Sequence, residues 1–345
     1  MKKSPTMNHT LTFPTAQPVA TGQGAEHGGE HQPLTLAMPS VSEPWRYALA
    51  YGRLALASLV GLHRLRLQGL RTYHAPVRIS PRLAHRWRAL FDVPARAAAT
   101  VPLLANQSVG TLLYAQIFAD LGLNLRDLLH LQHRSIHHAG VAAFARAREQ
   151  RLTCTVPRVL RLGEDRVLVE VRTVISGTDG QLLAVVEDGF LVRNLPPARL
   201  AGLPSDRLLL RELLGLSRRT PRLSTTQGDA RVAEMPVPRD MGLAYGRISG
   251  DMNPVPCCRL GAWLFGLKRP FLQGLALRHL VLRHLAELGL PLDRLNLTFA
   301  SPAYLGQSLL LVALGEDIEV HDAQGRLVAF GRSAALIEEA LVQAA

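Results

Sequence analysis

The chain writes one pattern twice. A long apolar helical stretch is followed by segments of period-two alternation, and after a proline- and arginine-rich interval the same order returns. In the first copy, residues 100–122 (TVPLLANQSVGTLLYAQIFADLG) place Leu112, Leu113, Ile117 and Leu121 at helical spacing, with Gly122 as the stop. The segments QRLTCTVPRVLRL, RVLVEVRTVIS and LLAVVEDGFLVRN follow, with Val167, Val169, Val171 and Val174 in strand-like positions and Asp179–Gly180 suited to a hairpin turn. In the second copy, PFLQGLALRHLVLRHLAELG runs to Gly289, then come LNLTFASPAYLGQSLLLVALG and DIEVHDAQGRLVAFGRS, and DGQLLAVVEDG is echoed by AQGRLVAFGRS. One helix and a few strands cannot close their own apolar face, so two such units packed side by side are expected, an α+β architecture.

The boundaries predicted are a disordered tail over 1–42, rich in Thr, Pro, Gly, His and Gln, a first unit over 43–200, a linker or crossover over 201–240, and a second unit over 241–345. In the second helix Leu277, Leu280, Val281, Leu285 and Leu288 form the apolar face. His279, Arg283 and Glu287 recur four apart on the other, which predicts His279 and His284 at the solvent side.

Charge narrows the partners. With 39 Lys plus Arg against 27 Asp plus Glu, the formal charge is +12, which suits nucleic acid, an anionic membrane surface, or an acidic or phosphorylated ligand. The arginines are scattered, and neither zinc-finger spacing nor an RNA-binding aromatic motif is present, so no nucleic-acid partner is expected. Tyr47–Leu70 comes closest to a membrane span, but Arg53, Arg64 and Arg66 interrupt it. It reads as an amphipathic helix packed on the domain, with weak peripheral membrane contact as the alternative. Cys154, Cys257 and Cys258 do not make a disulfide framework, and the start of the chain has no apolar signal core, so a cytoplasmic location is expected.

The stretch YGRISGDMNPVP (245–256) is too polar and too rich in chain breakers for ordinary core and reads as an active-site loop. Extended to YGRISGDMNPVPCCRLGAWLFGLKRPFLQG, it resembles the signature of MaoC-like, hydratase-2 type hot dog proteins: SGDxNPxH, an apolar helical stretch, then a His-Gly dipeptide. The match rests on Ser249, Gly250, Asp251, Asn253, Pro254 and Gly274, and continues through FASPAYLG. The first half, including LLHLQHRSIHHAG, resembles the degenerate N-terminal half of double hot dog proteins, so the resemblance spans about 75–335. It implies a double hot dog fold, each unit a long central helix wrapped by an antiparallel sheet. It also implies a lyase, a dehydratase or hydratase on acyl thioesters of coenzyme A or acyl carrier protein, as in fatty-acid or polyketide metabolism, without a cofactor.

Two departures qualify that activity. The family's catalytic His falls on Pro256, which has no side-chain acid or base, and the His-Gly dipeptide is Gln273–Gly274. The amide of Gly274, implied to meet the thioester carbonyl, survives as a backbone donor at a helix start. Asp251 is the implied acid–base residue. Asn253 either assists it or braces the loop, and Cys257 (with Cys258 beside it) either replaces the lost base or fills space. Tyr245, Ser249, Gly250 and Gln273 are placed around the substrate, Tyr245 as wall, and Arg247, Lys268 and Arg269 form a basic rim for a phosphate-bearing or acidic carrier.

His130, His133, His137 and His138 cluster in the first half. No carboxylate or cysteine stands at ligand spacing from them, so no metal is predicted, while His130 and His133 are candidates for a base donated across the halves. An altered enzyme should show an open acyl channel reaching Asp251 and a polar group near Pro256. A non-catalytic acyl-binding or partner subunit should show the channel without such a group, and a thioesterase or a single-base enolate reaction at Asp251 is a further alternative. Two hot dog units in one chain already make the minimal pair, so a monomer or a homodimer of such chains is expected.

Overall fold

A computed structural model describes residues 65, 72–101, 107–123, 125–216, 219–264 and 267–336. The tail over 1–42 and the Tyr47–Leu70 stretch, Leu65 apart, lie outside the described residues. The first unit contains β1 (Tyr73–Arg78), α1 (Pro81–Leu90), α2 (Gln107–Asp120), β2 (Leu128–Ile136), α3 (Gly140–Arg146), β3 (Glu149–Arg161), β4 (Val167–Gly177) and β5 (Leu182–Val192). After α4 (Arg207–Leu216), the second contains β6 (Arg231–Val237), α5 (Met241–Ser249), α6 (Pro254–Cys257), α7 (Arg259–Leu264), α8 (Gly274–Glu287), β7 (Arg294–Phe299), β8 (Gln307–Leu314), β9 (Asp317–His321) and β10 (Leu327–Ala334).

The ten strands form one sheet in the order β1-β3-β4-β5-β2-β7-β10-β9-β8-β6. Read inward from its two edges, the sheet gives β1-β3-β4-β5-β2 and β6-β8-β9-β10-β7, the same topology twice. In each copy the long helix, α2 or α8, precedes the innermost strand. This is the double hot dog fold, and the echo between the two sequence phrases is the equivalence of β5 with β10. The copies meet where β2 pairs antiparallel with β7, from Gln132 opposite Thr298 to Ile136 opposite Arg294. Backbone hydrogen bonds therefore run from one half into the other.

Local chemistry sets the element ends. The hydroxyl of Ser80 accepts from the amide of Leu83 at 3.2 Å and Pro81 occupies the first turn, which starts α1. Both long helices stop at the predicted glycines, Gly122 and Gly289, with φ of 64° and 66°, a left-handed conformation that a residue with a Cβ adopts at a cost. The outermost strands, β1 and β6, each carry a proline, Pro76 and Pro236. A proline has no amide to donate, so it suits an edge. Pro236 and its neighbouring prolines make 201–240 look like a linker in the sequence, yet α4 and β6 lie within it and β6 pairs with β8. Among the described residues no helix is long and apolar enough to cross a membrane.

The expectation for the polar face of α8 is corrected. His279 and His284 are both buried, 0% and 1% exposed, and Arg283 and Glu287 form a half-buried ion pair at 3.1 Å. The helix has no free face at His279. Its ring packs edge-on against Trp87 of α1 at 5.1 Å and Phe91 at 5.5 Å, and is tilted against Tyr245 of α5 at 5.7 Å. Apolar periodicity reports one buried face and is blind to a second layer supplied by distant sequence.

These buried imidazoles make the fold acid-sensitive. Burial, with the charge of Arg278, pushes His133 and His137 down to about 4, and burial pushes His279 well below its ordinary value. Below the unfolded pKa of about 6.5 the unfolded chain takes up protons that the native state refuses, so stability is full above that pH and is lost on descending toward pH 4. Each such histidine steepens the fall by about 1.4 kcal/mol per pH unit. Urea melts at pH 7.5 and 5.0 should show a midpoint several tenths molar or more lower at the acid pH; equal midpoints would contradict the burial of neutral imidazole.

Candidate functional site

The SGD loop is built by close packing and short side-chain bonds. Helix α5 ends at Gly250, whose φ of 81° turns the chain sharply into Asp251. From there the polar side chains brace one another's backbone. The Ser249 hydroxyl accepts from the amide of Asp251 at 3.0 Å, the Asp251 carboxylate from the amide of Asn253 at 3.3 Å, and the Asn253 side chain from the amide of Val255 at 3.1 Å, which caps α6. Gly242 in α5 lies so near α6 that an added Cβ would stand 1.9 Å from the carbonyl oxygen of Pro256. The Gln273 amide nitrogen, just ahead of α8, donates to the carbonyls of Gly242 at 3.1 Å and Asp251 at 3.4 Å. Gln273 thus ties the loop to the start of α8.

Asp251, Asn253, Pro256, Gln273 and Gly274 line one cavity of about 560 Å³. Its remaining wall includes Phe118, Leu125, Leu128, Leu275, Leu277 and Phe299, and therefore comes from both halves of the chain. The volume is within the range of small-molecule sites, and Asp251, Gln273 and Gly274 bring polar groups to it at the start of α8, with Asp127, Arg193 and Asn194 also on its wall. Burial pushes the carboxyl of Asp251 up to about 6, against the lowering pull of the Asn253 amide and of nearby His130. A carboxyl poised there exchanges protons readily near neutral pH.

His130 is a further polar group on the cavity. It lies on β2 of the first half, lines the same cavity, and its side chain is 8% exposed. Its ring stacks on Phe190 at 4.7 Å and leans on Phe299 at 4.8 Å. The Nε2 atom lies 2.9 Å from Asp188 Oδ1 and 2.9 Å from the carbonyl oxygen of Gln132. Both neighbours only accept, so Nε2 carries the proton and Nδ1 holds the lone pair in the neutral ring. Nδ1 is buried, has no hydrogen-bond partner and lies against the start of α8: a Cβ placed on Gly274 would sit 2.7 Å from it.

The carboxylate behind His130 is thoroughly buried. Asp188 on β5 is 1% exposed and accepts from the Tyr114 hydroxyl at 2.5 Å and from His133 Nδ1 at 2.7 Å, besides His130. Burial favours its neutral form, but the two imidazoles hold its carboxyl well below the usual carboxylate range. His130 and His133, three residues apart, would face opposite sides of a regular strand. A bulge between His130 and Gln132 in the β2–β5 pairing brings both rings to Asp188. The three donor atoms also lie within 4.8 Å of one another, a spacing that a metal ion could bridge. In this arrangement each is engaged in a hydrogen bond, and the charge of Arg278, felt at both His133 and Asp188, opposes a cation.

Several sequence assignments fall elsewhere. Cys257 is not on the cavity. Its sulfur faces the carbonyl of Gly242, and burial with the nearby Asp251 charge pushes the thiol up to about 12, so it is a protonated filler rather than a base. Tyr245 is fully buried behind the loop among Trp87, Phe91 and His279, and is core rather than cavity wall. Ser249 and Gly250 shape the loop and do not line the cavity, and Asn253 has its side chain committed to capping α6. Arg247, Lys268 and Arg269 are exposed and line no part of it; the Arg269 guanidinium lies over the ring of Tyr304 at 3.9 Å. Sequence reasoning missed Asp188 and Tyr114. The available signal was parity: Ala184, Val186, Asp188, Phe190 and Val192 all face inward on β5, and one is an acid.

With this geometry in view, comparison with known proteins gives a one-sided result. No protein-family model and no curated protein matches the sequence. Solved structures do match. HtdX of Mycobacterium tuberculosis superimposes with a TM-score of 0.56 at 17% identity, over 77% of this chain and 100% of that one. The chain has the fold of the MaoC-like dehydratases. A protein described as a MaoC-like dehydratase gives a TM-score of 0.57 at 13% identity, over 79% of this chain and 100% of its own. A MaoC-like dehydratase from Phytophthora capsici gives 0.54 at 14% identity, over 82% and 99%. At these identities the shared property is the double hot dog fold.

The raised carboxyl has a measurable consequence. Protonated Asp251 suits its buried site, so the native state is favoured below the unfolded pKa of about 3.8, and that advantage is lost as pH rises through about 6. Keeping the ion buried above that pH costs about 2–3 kcal/mol. Asp251→Asn keeps the acceptor for the Asn253 amide and is expected to melt higher than wild type at pH 8, with the gap closing near pH 4. A lower melting temperature for the variant at pH 8 would show that the carboxylate is a stabilising ion in this loop.

Proposed function

We propose that the chain is an acyl-thioester hydratase or dehydratase, with the acyl group in the cavity shared by the two halves. The observation that carries this reading is the presence of Asp251 and the amide end of α8 at Gly274 on one largely apolar cavity wall. The N–H of Gly274, the first residue of α8, meets the thioester oxygen where negative charge develops as the bond next to the carbonyl is made or broken. Asp251 exchanges the proton on the carbon next to the carbonyl, a task suited to a carboxyl that titrates near neutrality. The apolar wall holds the acyl chain. The carrier, coenzyme A or acyl carrier protein, stays outside, where Arg247, Lys268 and Arg269 are exposed to meet its negative charge.

Pro256 supports a second reading, an acyl-binding subunit without turnover, because the residue at the expected His position lines the cavity without a side-chain acid or base, and its carbonyl is packed against Gly242. Mass spectrometry separates the two. Wild type incubated with trans-2-enoyl and 3-hydroxyacyl thioesters of coenzyme A and of acyl carrier protein is expected to interconvert them with the gain or loss of one water. Asp251→Ala should lose 100-fold or more of the rate while a non-hydratable thioether analogue still binds. Analogue binding without turnover by wild type favours the binding subunit, and no binding removes the acyl-thioester reading altogether.

A further inference from the structure

We infer that His130, supplied by the first half, is the second acid–base group of this site and takes the place left by Pro256. The inference rests on the acyl-thioester reading and adds to it a residue, an atom and a tautomer. Asp188 and the Gln132 carbonyl fix the proton on Nε2, so the basic lone pair is on Nδ1, the atom without a partner that lies against the start of α8. Phe190, stacked on the ring, and Phe299, tilted against it, restrain the imidazole. Asp188, anchored by Tyr114 and His133, then steadies the imidazolium when it forms. Tyr114 and His133 are positioning residues, because they act through Asp188.

In the hydration direction the chemistry balances. Nδ1 of His130 takes a proton from water as the water oxygen bonds to the β-carbon of the enoyl thioester. The electron pair of the carbon–carbon double bond moves toward the thioester oxygen, which the Gly274 amide holds. Protonated Asp251 then delivers its proton to the α-carbon, the carbon–oxygen double bond re-forms, and water has added across the acyl chain. The proton on His130 returns to Asp251, which resets both groups. Dehydration is the same path reversed.

The test measures hydration of trans-2-enoyl-coenzyme A substrates of four to twelve carbons by wild type and His130→Gln, with binding of the thioether analogue in parallel. His130→Gln is expected to lower kcat by about 100- to 10,000-fold with a small change in KM or analogue affinity, and to remove one of the two ionisations of the kcat/KM profile. A smaller His130→Gly variant should regain part of its rate in added imidazole. A purely structural role would leave both ionisations in place and give no rescue. Wild-type turnover with an equally active His130→Gln overturns the role of His130 alone, whereas wild type that binds no analogue overturns the acyl-thioester reading beneath it. Should the variants fail to fold, nitrogen-15 spectra of the wild-type imidazoles still decide. Nε2–H with an Nδ1 signal that moves on adding analogue supports the assignment, and Nδ1–H or an unmoved signal overturns it.

Discussion

A single buried negative charge organises the first half. Asp188 is surrounded by β-strand and helix, and an ion there is tolerable because its oxygens accept from a tyrosine and two histidines, with the charge of Arg278 nearby. Those three donors come from α2 and β2, so the carboxylate joins the long helix of the hot dog unit to two neighbouring strands. Removing one donor exposes the charge of Asp188 to an apolar surrounding, at a cost greater than the net value of the bond itself. The same carboxylate fixes the orientation of His130. Stability of the first half and the orientation of a cavity-lining imidazole therefore share one residue.

The second half contributes through close packing. Gly242 against Pro256, together with the Gln273 bonds to loop carbonyls, brings the SGD loop to the start of α8 and holds Asp251 there. Pro256 is seated in that contact. In this chain the cavity's imidazole comes instead from β2 of the first half and lies against the start of α8. The two halves thus divide the polar groups: carboxyl and helix amide from one, imidazole and its carboxylate partner from the other.

Much of the fold was legible because it is written in local signals. The apolar face of each long helix, the Asp-Gly turn, and Gly122 and Gly289 all act within a few residues, and the echo of one strand phrase in another repeats such a local pattern. The SGD segment, expected as a loop over 245–256, is loop only over 250–253, between helices that end at Ser249 and begin at Pro254. Distant partners were less legible. His279 looked like a surface residue because Trp87 and Phe91, which cover it, lie nearly two hundred residues earlier. His130 and His133 lacked a carboxylate at any useful spacing because Asp188 reaches them across a strand pairing and a bulge realigns them. Cys257 looked reactive from its neighbours in sequence, while its burial in the folded loop keeps it protonated.

The β2–β7 seam has a further meaning. Two identical subunits joined by such a ladder obey a two-fold axis, so any residue contributed to one site must appear again at its mate, useful or not. Covalent fusion lifts that obligation. One copy was free to keep its SGD loop and the other to place an imidazole and its anion where an axis-related twin would have had no counterpart, leaving a lopsided cavity that neither repeat could line from its own residues.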